Sequence, residues 1–118
     1  MNQQNIVPTL ILGLILAVSA AAQMTVTGEV VEVGLNDFYI DMPTTLPAGP
    51  VTFLITNYGP SVHSFAIDGP GIDEALTHEL APGQQGAFTV ELQPGTYSII
   101  CPVPGHRDNG MSLVLTVK

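Results

Sequence analysis

Residues 97–117 read YSIICPVPGHRDNGMSLVLTV, two β-prone runs on either side of a loop rich in proline and glycine. The loop holds the only cysteine of the chain, Cys101, with His106 five residues on and Met111 five residues beyond that. Successive residues of a strand face opposite sides of a sheet. Cys101 is therefore in phase with Tyr97 and Ile99, although Ile100 makes that run apolar on both faces, and Met111 is in phase with Leu113, Leu115 and Val117. Two sulfur side chains fall on core-facing registers at facing strand ends.

Working outward from this stretch, the pattern is one of short β-prone runs punctuated by Pro47-Ala48-Gly49-Pro50, Asn57-Tyr58-Gly59-Pro60, Asp68-Gly69-Pro70-Gly71, Pro82-Gly83 and Pro94-Gly95. The runs are Met24 to Val33, Phe38 to Asp41, Val51 to Thr56, His63 to Ile67, Gly86 to Leu92, Thr96 to Cys101 and Met111 to Val117. Strands this short and this frequent argue for an all-β sandwich or barrel. One helical hint interrupts them: Ile72, Ala75, Leu76 and Leu80 fall on a helical stripe, with Asp73 and Glu74 in its first turn. It reads as a turn or two of helix on a connecting loop. In the fourth run His63 is in phase with Phe65 and Ile67, so its imidazole faces inward.

The first 22 residues differ in kind, containing no Asp, Glu, Lys, Arg or His. An apolar run from Ile6 to Val18 meets Ser19-Ala20-Ala21-Ala22, and the small residues at 20 and 22 match the pattern that precedes signal-peptide cleavage. An uncleaved anchor through residues 6–22 is the alternative, because the uncharged span approaches the roughly 20 residues of a membrane helix. The alanine-rich end favours cleavage. Either way, residues 23–118 are read as one exported domain, periplasmic or otherwise extracytoplasmic, well above the roughly 40 residues below which a chain needs staples to fold.

All ten acidic residues and both basic ones, Arg107 and Lys118, lie in this domain, which carries the whole formal charge of −8. Such a surface disfavours nucleic acid and anionic membrane and suits a basic partner, although solubility alone accounts for it equally well. One Cys cannot close an intramolecular disulfide, so a disulfide scaffold is excluded. It is an inert core thiol, an intermolecular bridge, or a thiol kept for reactivity or as a ligand.

His63, Cys101, His106 and Met111 together make the last role the coherent one. A thiolate, two imidazoles and a weakly bound thioether form the ligand set of blue-copper electron-transfer centres. Thiolate and thioether suit Cu(I), imidazole suits both copper valences, and zinc would gain little from the thioether. Singly, each residue is as easily core or surface. His78, beside Glu79 in a polar stretch, is read as a surface histidine, and Arg107 and Asp108 as solvated loop charges.

The segments Asn57-x-Gly59 leading to His63-x-Phe65, Leu80-x-Pro82-Gly83, Leu92-x-Pro94-Gly95-Thr96-Tyr97 and Cys101-x4-His106-x4-Met111 resemble the cupredoxin family of plastocyanin-like and azurin-like proteins. The resemblance runs from about Met24 to the C-terminus. It implies a cupredoxin-like Greek-key β-sandwich of seven or eight strands, holding one copper ion and working as a monomeric carrier of single electrons rather than as an enzyme. By carry-over His63, Cys101 and His106 would be equatorial ligands and Met111 the axial one. The sequence departs from many relatives in placing Ser64, not Asn, after the first histidine, so the amide cross-link between ligand loops is expected to be missing or made through water. Pro102 and Pro104 remove two N–H groups from the ligand loop, which leaves the N–H of Val103 and the backbone beside Ser64 as candidate donors to the Cys101 sulfur.

Other chemistries fit less well. A thiol hydrolase would need a group orienting His106 toward Cys101, and no Asp or Asn is evidently placed for it. A multicopper oxidase needs many more histidines than three, a dinuclear copper centre a second thiolate, and a c-type haem a Cys-x-x-Cys-His motif. A copper chaperone or store on the same fold remains the alternative. It needs an open, exchangeable site, whereas Pro102 and Pro104 stiffen the loop.

Overall fold

The computed structural model describes residues 28–118; the export segment read at residues 1–22 and the start of the expected run at Met24 lie outside the described residues. Nine strands follow in order: β1 (Glu29–Asn36), β2 (Tyr39–Asp41), β3 (Thr45–Leu46), β4 (Gly49–Asn57), β5 (Ala66–Gly69), β6 (Ile72–Ala75), β7 (Gln85–Leu92), β8 (Gly95–Ile100) and β9 (Ser112–Val117). They form two sheets, ordered β2-β1-β4-β7 and β3-β9-β8-β5-β6. The chain passes repeatedly from one sheet to the other, and the pairs β1 with β4 and β3 with β9 are parallel. The expected all-β sandwich is therefore what the chain forms.

Alternation builds the core. Val31, Val33 and Leu35 of β1, Val51, Phe53 and Ile55 of β4, and Val90 and Leu92 of β7 point from one sheet toward Phe65, Ile67, Tyr97, Ile99, Leu115 and Val117 of the other, and all are buried. Phe53 and Phe65 meet across the interior with ring centroids 5.3 Å apart. Each large apolar side chain buried this way contributes about 1.5–3 kcal/mol. Among them sit three buried polar residues, Asn57, His63 and Ser64, all at one end of the sandwich.

The helical reading of Ile72 to Leu80 is incorrect. Residues 72–75 form strand β6, antiparallel to β5 with Gly69 opposite Ile72. Pro70 and Gly71 make the intervening two-residue turn, in which Gly71 has φ 75°, the left-handed conformation that glycine adopts at no steric cost. Four apolar residues over nine positions are too few to tell a helical stripe from an edge strand followed by a loop, and the free edge of β5 supplies backbone partners that an isolated turn of helix would lack. The one helical turn of the described residues is instead a 3₁₀ turn at Arg107–Asn109, within the Cys101–Met111 loop. β3, a two-residue parallel partner of β9, had no sequence signal at all.

The His63 run is also not a continuous strand. His63 pairs only with Leu80, its N–H donating to the Leu80 carbonyl at 3.1 Å and its carbonyl accepting from the Leu80 N–H at 2.7 Å. The ladder resumes at Ala66. The inward parity nevertheless holds, since His63, Phe65 and Ile67 are all fully buried.

Candidate metal centre

Three loops converge at the end of the sandwich where the buried polar residues lie. The first leaves β4 and carries His63. The second joins β8 to β9, with Cys101 directly after β8, His106 in the middle and Met111 directly before β9. The Cys101 N–H donates to the Met111 carbonyl at 3.1 Å, extending the β8–β9 ladder by one step beyond the strands. Within the loop, the His106 carbonyl accepts from the N–H groups of Asn109 and Met111, both at 3.1 Å, and the Asn109 amide donates to the Gly105 carbonyl at 2.9 Å. The loop is internally bonded as well as proline-stiffened. The third is the turn between β1 and β2, which places Asp37 against His63 and Phe38 edge-on to His106, ring centroids 5.2 Å apart.

Of the four residues singled out by sequence, His63, Cys101 and His106 bring their donor atoms together; His63, Cys101 and Met111 are completely buried, and His106 is half-buried. Nδ1 of His63 and Nδ1 of His106 are 3.1 Å apart, and the Cys101 Sγ lies 4.0 Å from the first and 3.7 Å from the second. A triangle with these sides has a centre about 2.1 Å from each corner, inside the roughly 2.0–2.3 Å of first-row metal bonds to imidazole and thiolate. The donor set fits a copper ion in both chemistry and spacing. Among the described residues this is the one cluster of His, Cys and acidic side chains so arranged. His78 is exposed and takes no part.

The sulfur receives its hydrogen bond from the N–H of Ser64, at 3.4 Å. The other expected donor, the Val103 N–H, makes no such bond; the Val103 carbonyl accepts from the His106 N–H at 3.0 Å. The His63 loop is braced from its own side by Asn57, whose side chain makes no hydrogen bond to the Cys101–Met111 loop. Its buried amide donates to the carbonyls of Ser61 and Leu80, both at 2.8 Å, and its Oδ1 accepts from the Gly59 N–H at 2.9 Å. That ties the His63 loop to Leu80, the residue whose backbone anchors His63 itself.

Asp37 is the residue that sequence reasoning missed. Its Oδ1 lies 2.6 Å from Nε2 of His63, and its Oδ2 accepts from the Ser61 hydroxyl at 2.8 Å. The Ser61 hydrogen bond first, then the hydrogen bond and the charge of His63, hold the carboxyl below its ordinary value against the opposing pull of partial burial. Gly59 leaves room for the contact, because a Cβ there would crowd both Asp37 Oδ1 and His63 Nε2 at 3.1 Å. Asn57-x-Gly59 was visible as a motif, but nothing in the sequence marks Asp37 as its neighbour.

A family model described as the cupredoxin-like domain matches residues 8–114. The chain belongs to the cupredoxin-like family. Solved cupredoxins share its fold. Auracyanin B superposes with a TM-score of 0.67 at 23% identity, covering 81% of this chain and 93% of that one. Auracyanin A, a "blue" copper protein from Chloroflexus aurantiacus, gives 0.57 at 24% identity over 77% of this chain and all of the other. Rusticyanin from Thiobacillus ferrooxidans gives 0.59 at 24% identity over 78% and 79%. No curated protein sequence matches significantly. No helix among the described residues is long and apolar enough to cross a membrane.

Proposed function

We propose that this cupredoxin is an exported, mononuclear type 1 copper protein that carries single electrons between redox partners and is not an enzyme. His63 Nδ1, Cys101 Sγ and His106 Nδ1 would hold the copper ion, with the Met111 thioether as a fourth, weaker donor. The observation that carries the reading is the convergence of one sulfur and two imidazole nitrogens around a single point at bonding distance. Bound there, copper supplies a one-electron couple between Cu(I) and Cu(II).

The surroundings suit a carrier. Complete burial of His63, Cys101 and Met111 excludes water and substrate, and the internally bonded loop limits ligand movement when the metal changes charge. His106, half-buried, offers the one ligand edge near solvent. We assign Pro60, Val62, Val103, Pro104 and Gly105, from the two loops that carry the histidines, to a weakly polar rim beside it, together with Phe38, whose ring meets His106 edge-on. Small apolar contacts of this kind permit brief docking, while the net charge of −8 steers a basic partner from longer range.

Adding Cu(II) to the purified protein tests the reading. An intense visible charge-transfer band, absent in Cys101→Ser, is expected of the carrier. Colourless and readily exchanged copper would instead indicate a chaperone or store.

A further inference from the structure

We propose that Asp37 is a positioning residue of the metal centre, whose carboxylate holds His63 as the Nε2–H tautomer and, by its charge, lowers the reduction potential of the site. The tautomer part follows from the geometry of the protein alone. The potential part rests on the electron-carrier reading above.

A carboxylate only accepts hydrogen bonds, so the nitrogen 2.6 Å from Asp37 Oδ1 must carry the hydrogen. That leaves Nδ1 of His63, the atom facing Cys101 and His106, with its lone pair available. His63 is completely buried, so no solvent molecule competes for either ring nitrogen. Hydrogen bonds to an ionised acceptor are about twice as strong as neutral ones, and a partner on the distal nitrogen fixes both ring orientation and tautomer.

The carboxylate is itself braced. Ser61 binds its second oxygen, and the Asn57 amide holds the Ser61 carbonyl. A chain of contacts therefore runs from the end of β4 through Ser61 and Asp37 to the imidazole. A fixed negative charge behind a metal ligand favours the more positive metal valence. Other acidic side chains, such as Glu91 opposite Pro50 at the far end of β4, have no such contact with the centre.

Two measurements decide the matter. In copper-free protein labelled with nitrogen-15 at histidine, above the pH range of imidazole titration, His63 should carry its hydrogen on Nε2. Asp37→Ala should relax it toward a mixture of tautomers. A wild-type Nδ1–H tautomer overturns the proposal. In copper-loaded protein, Asp37→Asn keeps an acceptor of the same shape without the charge. It should shift the potential positively, and by more than Glu91→Gln does, while the visible band persists. An unchanged or lowered potential, or a shift no larger than that of Glu91→Gln, overturns it.

Should the Asp37 variants fail to fold, Ser61→Ala loosens the carboxylate without removing it and should give a smaller positive shift. No shift in that variant counts against the proposal, and the wild-type tautomer decides it independently. A wild-type protein with no blue copper overturns the carrier reading and the potential part together; the tautomer result still stands or falls separately.

Discussion

The side-chain amide of Asn57 donates to the carbonyl of Leu80 at 2.8 Å, and Leu80 is the residue whose backbone pairs with His63. One buried side chain at the end of β4 thus sets the position of a proposed ligand six residues later in the chain. Asn57→Ala leaves the Gly59 N–H and the Ser61 carbonyl without their partners. A buried unsatisfied group costs about 1–3 kcal/mol, and the Ser61 carbonyl, being only partly buried, stands at the low end, so the variant should lose roughly 2–4 kcal/mol of stability. Denaturant unfolding of the copper-free protein checks this, and a loss below about 1 kcal/mol would contradict the bracing role.

Met111 packs without exposure against the core. Met111→Leu nearly conserves its volume and should cost less than about 1.5 kcal/mol. The three other donors remain, so the copper-loaded variant should keep an intense visible band while its potential changes, as expected for loss of a weak axial ligand. A colourless variant would make the thioether a principal donor and refute the division of roles.

Electron exchange should depend on salt in a charge-specific way. With a small cationic redox complex the rate should fall as ionic strength rises, and with an anionic complex it should rise, because screening weakens the field of a domain with net charge −8. Stopped-flow kinetics with the two complexes, compared at low and high salt, would show it. Equal salt responses would sink the steering idea.

Asp37 also predicts a pH dependence. Its folded carboxyl titrates below the ordinary 3.8, so the unfolded chain binds its proton first as pH falls. The stabilisation is therefore complete above the ordinary carboxyl range and is lost as pH drops below it through the folded value. Thermal midpoints of copper-free wild type and Asp37→Asn should differ most at pH 5–6 and converge toward pH 3. A gap that stays constant to low pH would mean that the ionised carboxylate contributes nothing.

What could be read from the chain was whatever depends on neighbours in sequence. Tyr97, Ile99 and Cys101 share a face because strands alternate, and all three are buried; the same rule turned His63 inward from far upstream. The Cys101, His106 and Met111 spacing is local too, so its loop could be identified before any fold was known. Short range is also where reading failed, at Ile72 to Leu80, because nine positions cannot distinguish a period of 3.6 from a short edge strand, here Ile72–Ala75, whose partner is already present.

Tertiary structure alone decided the contacts between elements that the sequence keeps apart. Asp37 meets His63 across 26 positions, and Ser64 reaches the Cys101 sulfur across 37. Neither leaves a periodic trace, since a single hydrogen bond constrains one residue on each side and depends on how two loops pack. The proposed ligands were thus set by chemistry legible along the chain. The carboxylate, amide and backbone donor that orient them were fixed only when the two sheets closed and brought the β1–β2 turn against the end of the sandwich.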